Sequence, residues 1–87
     1  MYPVLFKTKA LEDLGYWVSI KPKMALKILN LIENISKEPF TGIGKPEPLK
    51  GSLSGCWSRR IDHEHRLVYK IESEILMILA CRYHYES

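Results

Sequence analysis

Side chains that can do chemistry are concentrated in two parts of this sequence, residues 45–66 and the last few residues. The first part holds five Lys or Arg and three acidic residues, with one tryptophan and two histidines interleaved. The last apolar run is followed by Arg82, His84 and Tyr85. Arginine offers planar donors that match phosphate oxygens, and aromatic rings offer faces on which an unstacked base can lie. The two parts together predict a phosphate-bearing, single-stranded partner.

These residue types also suit the cleavage of RNA. The reaction needs a base for the 2′-hydroxyl, an acid for the departing 5′-oxygen, and cations around the phosphorane. Glu47 and His84 suit the first two roles in either order, because a histidine with the ordinary pKa of about 6.5 serves in both directions. Arg66, with Arg60 and Lys50 behind it, suits the third role. We expect no metal or other cofactor, because the nucleophile is part of the substrate.

Plainer interpretations of the same residues stay open on the pattern alone. The cluster can belong to a non-catalytic module that only grips phosphate, and Arg59 and Arg60 can be paired surface charges of little value to stability. His63 and His65 lie two residues apart and can touch one metal ion. Without a carboxylate or cysteine pair at ligand spacing, they are a weak metal signal.

The composition indicates one globular domain spanning residues 1–87. Hydrophobic residues make up 46% and charged residues 26% of the chain, and the net charge of +3 permits nucleic-acid binding without requiring it. Cys56 and Cys81 lie in apolar or strand-like surroundings and resemble reduced thiols, not nucleophiles. No signal peptide is visible, and the apolar run of residues 75–81 is too short to span a bilayer. We expect a cytoplasmic protein without membrane contact.

Hydrophobic periodicity predicts an α+β protein with the element order β-α-α-β-β-β. Strands are expected at residues 2–6, 53–61, 65–71 and 75–81, the last buried on both faces and central in the sheet. Helices are expected at residues 9–20, with Leu11, Leu14, Trp17 and Val18 apolar, and from Pro22 until Pro39 forbids continuation. The second has an apolar stripe of Ala25, Ile28, Leu29, Ile32 and Ile35. Glycines and prolines punctuate residues 40–52, so we predict a loop without a regular element there. Prolines on both sides of Glu47 restrict its backbone.

Five segments of this sequence closely resemble a known family: residues 39–50, 53–55, 57–61, 64–69 and 80–85. They are similar to the YoeB (Txe) branch of the RelE-like toxins of bacterial toxin–antitoxin systems. The first 38 residues are similar mainly in layout, with Tyr16 and Trp17 as the main identity. The resemblance implies a RelE-like, microbial-RNase-like fold, with a helical hairpin packed on a mainly antiparallel twisted sheet.

The resemblance also implies an activity. It indicates a ribosome-dependent mRNA endoribonuclease that cuts in the decoding (A) site, is inhibited by a YefM-like antitoxin and forms a homodimer. Carried over by position, the catalytic residues are Glu47, Arg66, His84 and Tyr85. We predict that RNA is bound by Lys45, Lys50, Arg59 and Arg60.

The sequence also departs from the family pattern. Cys56 stands where a bulky aromatic residue is usual, His63 occupies a variable turn, and Glu86 and Ser87 extend the chain past the terminal tyrosine. Because the catalytic set is intact, we expect activity. A relative that blocks the decoding site without cutting the message is the remaining alternative.

Overall fold

The computed structural model describes residues 1–83. Its elements in chain order are β1 (Val4–Phe6), α1 (Thr8–Ile20), α2 (Pro22–Lys37), β2 (Glu47–Pro48), a 3-10 turn (Gly51–Leu53), β3 (Trp57–Arg60), β4 (Arg66–Glu72) and β5 (Ile75–Ala80). The predicted α+β fold, with a helical hairpin on a mainly antiparallel sheet, is confirmed. The described sheet has five strands where the sequence predicted four.

The sheet has the strand order β1-β5-β4-β3-β2. Neighbouring strands are antiparallel except β1 and β5, which run parallel. β5 therefore lies inside the sheet, as predicted, but it is fully buried on one face only. Leu76 and Ile78 face the main core, whereas Met77 and Leu79 are half-buried. The reason is that the helices cover one face of the sheet, and only a small cluster around Val68 covers part of the other.

The helices begin and end close to the predicted residues. Pro22 occupies the first turn of α2, and α2 ends at Lys37, before Pro39. Ile28 and Ile35 are fully buried, but Leu29 is 45% exposed and Leu31 takes its place in the core. α1 buries Ala10, Asp13 and Trp17, whereas the predicted Leu11 and Val18 are exposed. Among residues 1–83, no helix is long and apolar enough to cross a membrane.

The prediction that residues 40–52 lack regular structure was wrong in two places. Glu47 and Pro48 form β2, an edge strand in which a proline is tolerated because one side of the strand needs no ladder donor. The Leu49 N–H continues the pairing by donating to Cys56 O (2.9 Å). β3 is shorter than predicted because the 3-10 turn ends at Leu53 and residues 54–56 connect it to the strand without pairing as part of β3. Gly55 in this connection adopts a left-handed φ of 95°.

Candidate active site

The strand register places predicted acidic and basic residues on one face of the sheet. Glu47 lies opposite Ser58, and Ser58 lies opposite Val68, whose side chain packs away from the helices. Residues directly opposite in antiparallel strands share a face, so these three form one cross-strand row. Arg60 and Arg66 lie opposite each other in the next row. Glu47 is therefore a diagonal neighbour of Arg60, at roughly 7–8 Å between Cα atoms.

The segment that carries Glu47 presents its polar side chains to solvent. Lys45, Glu47 and Lys50 are all exposed, whereas Leu49 between them is buried in the small cluster. The buried leucine and the pairing of β2 with β3 hold this edge of the sheet in register. Glu47, Lys45 and Lys50 thus have the exposure that the sequence-based prediction of substrate contact requires.

A buried arginine holds the loop that leads to Glu47. The Arg59 side chain is 0% exposed and donates five hydrogen bonds, which is the full number that a guanidinium can make. Its acceptors are Asn34 Oδ1 (2.6 Å), Ile43 O (2.8 Å), Glu38 O (2.7 Å), Thr41 O (2.9 Å) and Tyr69 Oη (3.2 Å). Because an ion is costly to bury unless its hydrogen bonds are satisfied, the loop carbonyls must stay in place around this one side chain.

The same environment corrects one sequence-based prediction. We predicted that Arg59 binds RNA, but its donors are all occupied and its side chain has no solvent-accessible surface. Arg59 is therefore removed from the predicted RNA-binding residues. Tyr69 completes the arrangement, because its hydroxyl donates to Pro39 O (2.6 Å) while accepting from Arg59. Burial raises the pKa of Tyr69 despite the opposing hydrogen bond and charge of Arg59, so the hydroxyl remains a donor at neutral pH.

Two glycines allow the loop to approach so closely. Gly42 has a φ of 120°, and a Cβ there would collide with Asn34 Oδ1. Gly44 has a φ of 81°, and a Cβ there would lie 3.0 Å from Leu31 Cδ2 and 3.2 Å from Arg59 Cβ. Gly44 O accepts the Arg60 N–H at 2.6 Å. The loop is thus bonded to two consecutive residues of β3.

The two arginines of the open face are placed differently. Arg60 is exposed, and Arg66 is half-buried at the start of β4. The Nη1 group of Arg66 donates to Asp62 O (2.8 Å) and His65 O (3.1 Å), which fixes the orientation of the guanidinium. Its Nε and Nη2 groups have no partner among residues 1–83. That edge matches the two oxygens of a phosphate in bidentate geometry.

A second set of contacts holds the segment that follows β5. The Cys81 N–H donates to Asp13 Oδ2 (3.0 Å), and Cys81 O accepts from the Trp17 indole N–H (2.8 Å). Asp13 is itself fixed by Lys9, whose Nζ lies 2.7 Å and 2.9 Å from its two oxygens. Asp13 and Trp17 are buried on the inner face of α1. The first helix therefore binds the backbone of Cys81, three positions before His84 in the sequence.

Tyr83, the last described residue, is bonded to the start of β4. Its N–H donates to His65 Nδ1 (2.6 Å), and its carbonyl accepts the Arg66 N–H (3.0 Å). His65 is buried between the rings of Trp17 and Tyr83, at centroid distances of 4.8 Å and 5.5 Å. Its role here is to anchor the backbone of Tyr83. Within residues 1–83 no group of three or more His, Cys, Asp or Glu side chains is arranged to bind a metal.

Arg82 contacts Tyr16, which the sequence analysis singled out together with Trp17. Its guanidinium carbon lies 3.4 Å from the ring centroid of Tyr16 and 4.5 Å from that of Tyr83, and its Nη2 donates to Tyr83 Oη (2.7 Å). Such cation–π contacts contribute about 0.5–2 kcal/mol each, depending on solvent exposure. The adjacent Tyr16 and Trp17 thus both act on the segment 81–83.

The predicted catalytic residues His84 and Tyr85 lie outside the described residues. The described chain ends at Tyr83, whose carbonyl is bonded to the backbone of Arg66. Glu47 and Arg66 are therefore the two predicted catalytic residues whose positions are described, and both lie on the open face of the sheet.

The two cysteines are buried structural residues. Cys81 is 0% exposed and Cys56 is 8% exposed. Burial, with a smaller contribution from the Asp13 carboxylate, raises the pKa of the Cys81 thiol to about 12. Since the thiolate is the reactive form, Cys81 is not a nucleophile at neutral pH.

Comparison with known proteins shows the family to which this chain belongs. The family model described as "YoeB-like toxin of bacterial type II toxin-antitoxin system" matches residues 6–85. The chain belongs to the YoeB-like toxins. A protein named Toxin YoeB from Mycobacterium bovis is 52% identical over 85 residues, covering 98% of this chain and 100% of that protein.

Solved YoeB structures have the same fold. A YoeB dimer from Staphylococcus aureus has a TM-score of 0.88 and 44% identity, covering 97% of this chain and 98% of that chain. The YoeB–YefM complex from the same organism has a TM-score of 0.87 and 43% identity, covering 98% and 99%. The sequence-based recognition of the YoeB branch is confirmed.

Sequence reasoning missed the residues of this YoeB-like chain that position the site. Arg59 was interpreted as a surface charge or an RNA contact, and no contact with the C-terminal part of the chain was predicted for Asp13. The alternation in β3 did contain a signal for Arg59, because it placed this arginine on the same face as Trp57 and Ile61. The bonds from α1 to Cys81 join residues more than sixty positions apart, and no local pattern indicates them.

The first prediction concerns Arg59. Arg59→Met should lower the free energy of unfolding by about 3–5 kcal/mol, because it leaves the loop carbonyls without donors in a buried site. Arg60→Met removes the exposed neighbour in the same strand and should change stability by no more than about 0.5 kcal/mol. Urea denaturation followed by tryptophan fluorescence measures both. Equal effects of the two substitutions would contradict a structural role for Arg59.

The second prediction concerns the bonds from α1 to Cys81. In a Cys56→Ala background only Cys81 can react with a thiol reagent, and at pH 8 a pKa of about 12 leaves it ionised to the order of 10⁻⁴. Trp17→Phe removes the donor to Cys81 O, so local opening should become easier by about 1–3 kcal/mol and labelling faster by roughly 5- to 150-fold.

Tyr16→Phe is the matched control, since it keeps the ring beneath Arg82 and should label at the parent rate. The measurement is the rate of reaction with a chromogenic disulfide reagent under native conditions. If Trp17→Phe and the parent protein react at the same rate, the indole does not hold this segment.

Proposed function

We propose that this YoeB-like toxin is an endoribonuclease that cuts mRNA in the decoding site of the ribosome and so inhibits translation. The observation that carries the proposal is the common placement of Glu47, Arg60 and Arg66 on the open face of the sheet. The segment leading to His84 is bonded to Arg66 itself, through the Arg66 N–H and Tyr83 O. This arrangement supports an acid–base pair on either side of a phosphate that Arg66 binds.

In the proposed reaction, Glu47 accepts the proton of the 2′-hydroxyl and the 2′-oxygen attacks the adjacent phosphorus. The bond from phosphorus to the 5′-oxygen breaks, and His84 donates a proton to that oxygen. The products are a 2′,3′-cyclic phosphate and a 5′-hydroxyl. Arg66 stabilises the negative charge of the phosphorane, and Tyr85 contacts the same phosphate. The roles of Glu47 and His84 can also be exchanged.

We propose no resident metal for this chemistry, because the substrate supplies the nucleophile. Lys45, Lys50 and Arg60 would contact RNA phosphates around the cut, since all three are exposed beside Glu47 or Arg66. Since mRNA and ribosomes are its proposed partners, we place the protein in the cytoplasm.

Two further partners follow from the relatives. The Staphylococcus aureus relatives were solved as a YoeB dimer and as a YoeB–YefM complex. We propose that this chain also forms a homodimer, and that a YefM-like antitoxin inhibits it. Co-expression with such an antitoxin should relieve growth arrest, and the purified toxin should elute as a dimer in size-exclusion chromatography with light scattering.

The test of activity uses bacterial ribosomes that carry a defined mRNA. The protein should cut the codon in the decoding site and leave a cyclic phosphate or 3′-phosphate end. Glu47→Gln should reduce the cleavage rate by about 10²–10⁴-fold while ribosome binding is kept, because it removes only proton transfer. Arg66→Ala should reduce both the rate and phosphate contact.

The matched control is Glu33→Gln, an exposed carboxylate on α2, which should cut at the parent rate. Intact mRNA with arrested translation would instead favour a toxin that occupies the decoding site without cutting. If Glu47→Gln cleaves as fast as the parent, the proposed base is wrong.

A further inference from the structure

A groove separate from Glu47 opens between α2 and the turn that joins β3 to β4. It has a volume of about 840 Å³, within the range of roughly 300–1,000 Å³ typical of small-molecule sites. Helix α2 supplies Lys27, Asn30 and Leu31, the glycine-rich loop supplies Ile43, and the turn adds His63. Arg60 and Arg66, the two arginines of the open face, also line it. The groove therefore continues directly from the proposed catalytic face.

The groove carries a positive charge. Lys27, Arg60 and Arg66 face one carboxylate, that of Asp62. Asp62 Oδ1 already accepts the N–H groups of Glu64 (2.9 Å) and His65 (2.7 Å). Although partial burial raises the pKa of Asp62, these bonds and the charges of His65 and Lys21 hold the pKa below its usual value. The Asp62 carboxylate therefore accepts hydrogen bonds within the turn, and the three cationic side chains outnumber it. The net positive charge favours an anionic ligand.

The floor of the groove is apolar. Leu31 and Ile61 are 2% and 1% exposed, so they form its buried base, and Ile43 presents an aliphatic side chain that is 54% exposed. The backbone of Ile43 is fixed by its bond to Arg59, so this wall is held in place. Asn30 is exposed at the rim and offers an amide donor and acceptor. The groove therefore combines three features that suit a nucleotide: an apolar surface for the face of the base, an amide for its edge and cations for its phosphate.

We propose that this groove binds a nucleotide of the mRNA that adjoins the cut, with the base against the exposed side chain of Ile43 and the phosphate at Lys27 and Arg60. This rests on the proposed endoribonuclease function, because the substrate strand would pass from the catalytic face across Arg60 into the groove. Lys27 and Asn30 are then residues for substrate binding, not for chemistry. An acidic peptide is the competing occupant, but its carboxylates alone would make no use of the apolar floor.

The test measures binding without cleavage. A fluorescent single-stranded RNA with 2′-O-methyl groups lacks the nucleophile, and its affinity is followed by anisotropy at several salt concentrations. Lys27→Ala should weaken binding about fivefold and reduce the slope of log K against log salt by about 0.7, the value for one lost phosphate contact on a single strand. Asn30→Ala should weaken binding without changing the slope.

Lys23→Ala is the matched control, an exposed lysine one turn earlier on α2 that does not line the groove. It should leave affinity and slope unchanged. Equal effects of Lys27→Ala and Lys23→Ala, or no binding of the oligonucleotide at low salt, would overturn the proposal. The proposal would also be contradicted if an acidic peptide that binds at Lys27 displaced the RNA while Asn30→Ala had no effect on RNA affinity.

A second experiment distinguishes binding of mRNA in the groove from binding of ribosomal RNA. It also distinguishes failure of this proposal from failure of the proposed cleavage reaction. On ribosomes with mRNA, Lys27→Ala should raise KM and leave kcat unchanged. If Lys27→Ala weakens binding to ribosomes without mRNA as much as binding to ribosomes with mRNA, the groove contacts ribosomal RNA and the proposal is wrong. If the parent protein binds the oligonucleotide but cuts no mRNA on ribosomes, the endoribonuclease function is refuted and the groove remains an RNA site.

Discussion

The buried guanidinium of Arg59 is the interaction on which the open face of this protein depends. It lies inside the domain without a carboxylate partner among residues 1–83, and its charge is balanced by carbonyl, amide and hydroxyl oxygens. Three of the five acceptors are backbone carbonyls of the loop after α2. A loop rich in glycine and proline has few side chains with which to pack, so a single buried donor group sets its path. Glu47 is the first residue of β2, the strand that comes directly after this loop.

A second set of buried bonds acts at the opposite end of the site. Asp13 and Trp17 on α1 hold the backbone of Cys81, and His65 holds that of Tyr83. The helical hairpin contains none of the proposed catalytic residues, yet one helix supplies an acceptor to Arg59 and the other fixes the segment before His84. Within residues 1–83, the backbone beside Glu47 and Arg66 is therefore held by buried bonds before any substrate arrives. Such preorganisation is the main contribution a protein makes to a reaction whose nucleophile comes from the substrate.

Local pattern predicted most of the elements but few of the contacts that position the site. The apolar stripe and flanking prolines of α2 gave its limits, and the alternation in β3 matches the face that packs against the helices. The same alternation placed Arg59 on the inner face, but a charged residue in a basic cluster was interpreted as an RNA contact. β2 was missed because its two residues pair through backbone bonds that leave no periodicity. The positions of Glu47 and Arg66 on one face became visible only with the register of strands distant in sequence.

Hydrogen exchange at individual amides tests most directly whether both sets of bonds are rigid. The N–H groups of Arg60, Cys81 and Tyr83 donate to Gly44 O, Asp13 Oδ2 and His65 Nδ1, outside the regular pairing of the sheet. If the open face is preorganised, these three amides should exchange with opening free energies close to that of global unfolding. The amide of Glu64, in an exposed turn, gives the reference for local opening. Exchange of all three at the rate of Glu64 would contradict a preorganised site.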